Sequence, residues 1–70
     1  MHERDMPAPV VHRKKAVVAL TGLSATTLWR LTRRGDFPQP IRLSPGTVGW
    51  FDSEVLAWLS ERAAARETSI

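Results

Sequence analysis

The sequence has no cysteine, no tyrosine, only two histidines and no apolar run longer than a few residues. Without cysteine there is neither a disulfide framework nor a thiolate metal site, which fits a reducing cytoplasm. The apolar runs fall far short of the ~20 residues a membrane-spanning helix needs. Met1 to Pro9 is polar and contains two prolines, so it does not read as a signal peptide. A cytoplasmic, nucleoid-associated location away from any membrane is expected. His2 and His12 both lie near the N-terminus with no partner at metal-ligand spacing. Gly46 and Gly49 do not form a phosphate-binding fingerprint. Asp52 and Glu54 read as carboxylates at the start of a helix, where they cap and complement its dipole. This inventory assigns no catalytic, cofactor or metal residue, and an enzyme is not expected.

Acid is also scarce where base is plentiful. From His12 to Arg42 there are seven cations, Arg13, Lys14, Lys15, Arg30, Arg33, Arg34 and Arg42, against one acid, Asp36, a net +6. The flanks are mildly acidic, −1 over Met1 to Val11 and −2 over Leu43 to Ile70. A basic segment between acidic flanks is the electrostatic footprint of a polyanion-binding face. Seventy residues make one domain at most, and such a chain buries only about 60% of its unfolded surface. It has little material for a deep substrate cleft.

The chain divides into an N-terminal arm over residues 1–12, a folded domain over 13–66 and a polar tail over 67–70. Arg13 to Leu20 suits about two helical turns, with Val17 and Leu20 inward, and Gly22 can close it in the left-handed conformation. Ser24 is a good N-cap for a second helix, Ala25 to Arg34, with Gly35 one residue past its end. Pro38 and Pro40 prevent continuation. On a helical wheel Leu28, Leu31 and Ser24 share one side, with Thr26, Arg30 and Arg33 opposite. Ile41 to Phe51 reads as a hairpin around Pro45-Gly46, with glycine where a type II turn needs positive φ. Asp52 or Ser53 then caps a third helix, whose apolar residues Val55, Leu56, Trp58, Leu59 and Ala63 follow the helical period. Trp50, Phe51, Trp58 and Leu59 are the expected core, since so small a domain needs large apolar side chains.

The fold expected is mainly α with a small β-hairpin, a winged helix-turn-helix in the order α-α-β-β-α. The second helix of such a motif lies in the DNA major groove with its N-terminal residues nearest the bases. Thr26 and Thr27 suit contacts with bases or phosphates, and Arg30 suits a forked contact with guanine. Arg33 and Arg34, a turn later, suit phosphates. Ser24 sits at the helix N-terminus, itself a phosphate site. Arg42 is placed for the backbone or minor groove beside the wing, and Lys14 and Lys15 for phosphate near the first helix. Trp29, between the two faces, is expected to pack under the wing, with a DNA sugar or a protein partner as the other reading.

Leu23-Ser24-Ala25-Thr26-Thr27-Leu28-Trp29-Arg30-Leu31 followed by Gly35-Asp36-Phe37-Pro38-Gln39-Pro40, then Val48-Gly49-Trp50-Phe51-Asp52-Ser53-Glu54-Val55 and Ala57-Trp58-Leu59, resembles the AlpA family of phage and mobile-element regulators. These are small relatives of MerR-like and excisionase winged helices. The resemblance covers about Arg13 to Arg66. It implies a DNA-binding regulator of a prophage or integrated element, or an excisionase that bends an attachment site for a tyrosine integrase. On the family pattern Ser24, Thr27 and Arg30 match recognition-helix positions, and Arg42 falls on the first wing strand. The wing turn Ser44-Pro45-Gly46-Thr47 departs from that pattern by lacking a nearby basic residue. The partner expected is double-stranded DNA, with several copies binding cooperatively to repeats or as a dimer. The competing reading is a protein-interaction or DNA-packaging assembly module using Trp29 and the third helix.

Overall fold

The computed structural model describes residues 9–68. The elements are β1 (Val11–His12), α1 (Lys14–Thr21), α2 (Ala25–Arg34), β2 (Ile41–Ser44), β3 (Thr47–Phe51) and α3 (Asp52–Thr68). The expected order of helices and hairpin is present, preceded by a strand. Residues 1–8 of the expected arm lie outside the described residues, as do the last two of the expected tail. Val11 and His12, assigned to the arm, instead form β1, and α3 runs on through positions 67 and 68.

Both short helices end as their glycines dictate. Gly22 at φ 77 closes α1 by donating its N–H to the Val18 carbonyl, and Gly35 at φ 80 closes α2 by donating to the carbonyls of Leu31 and Thr32. The turn between them is held by Thr21, whose hydroxyl donates to the Val17 carbonyl at 2.8 Å and accepts from the Leu23 N–H at 3.2 Å. Ser24 caps α2, its Oγ accepting from the Thr27 N–H at 3.1 Å. A cap of this kind stabilises a helix by roughly 1 kcal/mol.

The sheet is antiparallel with order β1-β3-β2. The hairpin closes through Pro45 and Gly46, with Gly46 at φ 80, and is irregular between Arg42 and Ser44. Val11 pairs with Phe51 and His12 with Trp50. Two further contacts clip the incoming chain to the start of α3: the Asp52 N–H donates to the Val10 carbonyl at 2.7 Å, and His12 Nε2 lies 2.7 Å from Asp52 Oδ1. His12 thus has a partner that sequence spacing did not reveal. Asp52 lies in the first turn of α3 rather than before it, with its carboxylate turned to His12.

The core is Val17, Leu28, Phe37, Trp50 and Val55, all but fully buried. Trp29, Trp58 and Leu59 pack against it while partly exposed. Three expectations are corrected. Leu20 is 42% exposed, because α1 packs against α2, β3 and α3 through the arc of Val17, Thr21 and Val18. Phe51 is half-buried, because strand alternation turns it away from the face that holds Trp50. Leu56 and Ala63 are exposed, since only the Val55, Trp58 and Leu59 stripe of α3 meets the core. Phe37 enters the core from a loop, where no periodicity announces it.

Three edge-on or tilted aromatic pairs join these parts: Trp29 with Trp50 at 5.5 Å, Phe37 with Trp50 at 6.4 Å and Phe37 with Trp58 at 4.8 Å. Each such pair contributes about 0.5–1.5 kcal/mol beyond its area. The polar edges of the same indoles fix the loop between α2 and the hairpin. Trp58 Nε1 donates to the Asp36 carbonyl at 2.8 Å and Trp50 Nε1 to the Pro38 carbonyl at 2.9 Å. Gln39 Nε2 donates back to the Thr32 carbonyl at 2.9 Å. These hydrogen bonds tie the loop between α2 and the wing to β3 and α3.

Candidate nucleic-acid interface

The exposed side of α2 follows from what its other side must bury. Leu28 and Thr32 are buried and Leu31 half-buried, and the Thr32 hydroxyl is satisfied within the helix by the Leu28 carbonyl at 2.8 Å. Thr26, Arg30 and Arg33 are left facing solvent, as their wheel positions require. At the edge of this face three side chains form one row. The Ser24 hydroxyl donates to Thr27 Oγ1 at 3.0 Å, and Arg30 Nη2 donates to the same oxygen at 3.4 Å. Thr27 Oγ1 retains a proton to donate. The contact turns the Arg30 guanidinium toward the start of α2, beside the two hydroxyls.

The remaining cations of the basic stretch lie in three places. Arg34 Nη2 lies 3.3 Å from Asp36 Oδ2, with both side chains more than half exposed. The contact spends part of the Arg34 charge on a neighbour, and its stabilising effect is small at that exposure. Arg42 is exposed on β2, opposite Val48. Lys14 and Lys15, far from the wing in sequence, are brought across from it. With Arg13 they line a groove of about 320 Å³ together with Trp29 and, from the wing, Gly46, Thr47 and Val48. Among the described residues no acid pairs with Arg13, Lys14 or Lys15. Arg13 was not singled out from the sequence, although it begins the same basic run.

The start of α1 is electrostatically unusual. Its first turn holds no acid, and Arg13, in the N-cap position, makes no side-chain cap. Cations there oppose the helix dipole, a cost of a few tenths of a kcal/mol or more each. The expectation that Trp29 packs beneath the wing is met by its contact with Trp50, while the exposed remainder of its ring faces the groove.

Among the described residues no three of His, Asp and Glu come together as metal ligands, and no helix is long and apolar enough to cross a membrane.

The family model described as "Prophage CP4-57 regulatory protein (AlpA)" matches residues 11–63. An uncharacterized protein, ORF88, of Enterobacteria phage P4 is 37% identical over 67 residues, which cover 89% of this chain and 76% of that protein. No solved structure matches the chain.

Proposed function

The chain belongs to the AlpA family, and from that premise we propose that it is a sequence-specific DNA-binding protein, a transcriptional regulator or excisionase of a prophage or integrated element. α2 enters the major groove, with Thr26, Thr27 and Arg30 toward the bases and Ser24, Arg33 and Arg34 toward phosphates. The wing, through Arg42, lies along the backbone or the minor groove. An excisionase would act beside a tyrosine integrase. A domain this small buries a small interface, so several copies bind cooperatively.

The observation that carries this reading is the Ser24, Thr27 and Arg30 row on the exposed side of α2. Short hydroxyls lead at the helix start, and an arginine stands one turn behind them, within reach of the Thr27 hydroxyl. The test is fluorescence anisotropy with a duplex from the gene's own neighbourhood and a scrambled duplex. The wild type prefers the native duplex. Arg30→Ala loses roughly 1–3 kcal/mol of that preference, a factor of about 5–150. Absence of binding to any duplex at low salt overturns the reading, and would favour a protein-interaction or packaging module.

A further inference from the structure

We propose that the groove between the start of α1 and the wing tip seats one DNA strand by its backbone. Arg13, Lys14 and Lys15 hold phosphates, and the exposed part of the Trp29 ring lies against deoxyribose. The inference rests on the DNA-binding reading above and adds to it a site for affinity without sequence preference.

Five observations carry it. The wing turn, Ser44 to Thr47, holds no cation of its own. The fold nevertheless places three cations across the groove from Gly46 and Thr47. Among the described residues none of the three has an acid partner. They stand in a helix start where like charge and the dipole both disfavour them, so their placement is not explained by the stability of α1. A polyanion supplies a countercharge that the described residues do not. The groove also adjoins the reading face: Trp29, which lines it, stands three and four positions from Thr26 and Arg33 on α2, the spacing of neighbours on a helix surface. A strand flanking the major groove that α2 occupies would therefore run into it. Contacts of cations to phosphate and of an indole face to deoxyribose carry no donor–acceptor code for bases, so the contribution is equal for all sequences.

The test uses the full chain and the variant Arg13→Gln/Lys14→Gln/Lys15→Gln, with circular dichroism to confirm its fold. Binding to native and scrambled duplexes is followed by anisotropy over a salt series. Each lost phosphate contact lowers the slope of log K against log salt by about 0.9. The expected result is a slope shallower by about 2–3 and a loss of affinity by the same factor on both duplexes. In parallel, iodide quenching is compared between wild type and Trp29→Phe, which isolates the Trp29 signal; duplex DNA should shield it. A wild type that binds DNA while the triple variant keeps its salt slope, or loses only its preference, overturns the proposal and leaves the DNA-binding reading intact. Shielding of Trp29 by polyglutamate but not by DNA overturns it in favour of an acidic protein segment. A wild type that binds no duplex overturns both.

Discussion

Replacing Gly49 with alanine separates a local from a tertiary account of β3. Gly49 is not among the positive-φ glycines, so an L side chain suits its backbone. On local grounds Gly→Ala stabilises by about 0.4–1 kcal/mol through the unfolded chain. The tertiary contacts say the reverse. A Cβ at position 49 would stand 2.6 Å from Val11 Cγ1, 3.0 Å from Leu43 Cδ1 and 3.1 Å from the His12 carbonyl oxygen. Leu43 is the far end of an exposed side chain and can swing away, but Val11 and the His12 backbone belong to β1. To admit the methyl, β1 must move off β3, which loosens the Val10–Asp52 and His12–Asp52 contacts. Overpacking of this kind costs about 1–3 kcal/mol, and at roughly 4–8 °C per kcal/mol for a domain this size the melting temperature should fall by about 5–20 °C. Urea unfolding followed by tryptophan fluorescence measures it. Val11→Ala removes the nearest atom, so Gly49→Ala/Val11→Ala should be less damaged than the sum of its parts by about 1 kcal/mol or more. A Gly49→Ala protein as stable as the wild type, or strict additivity in the double variant, would refute the packing of β1 over Gly49.

Ser24 can be tested for two roles at once. Ser24→Ala should cost roughly 1 kcal/mol of stability through the lost cap, whereas Ser24→Asp keeps the cap in urea unfolding and loses DNA affinity in anisotropy by repelling phosphate. Trp58→Phe keeps the ring beside Phe37 and removes the donor to the Asp36 carbonyl; a loss of about 0.5–1.5 kcal/mol in thermal melts is expected, with altered near-UV circular dichroism. His12→Ala should cost at most about 1 kcal/mol in the same melts, because the pair with Asp52 is partly solvated.

The sequence alone determined the parts whose causes are local. Gly22, Gly35 and Gly46 each lie where positive φ ends or turns an element, Ser24 starts α2, and the 3.6-residue period placed Leu28 inward and Thr26, Arg30 and Arg33 outward. The basic stretch and its lack of acids were equally visible. Only the tertiary structure decided what depends on parts far apart in the chain. Nothing within two turns of His12 reports Asp52, and nothing in the hairpin reports the cations of α1 that stand across from it. A strand as short as Val11–His12 has no period of its own; it exists because β3 presents an unpaired edge, and Gly49 leaves room above it. Phe37 sits just before Pro38 in a segment without pattern, and is buried because the indoles of Trp50 and Trp58 hold the carbonyls on either side of it. Periodicity shows which face of an element turns inward. Packing decides how many of those residues the core has room for, which is why Val17 is buried and Leu20 is not.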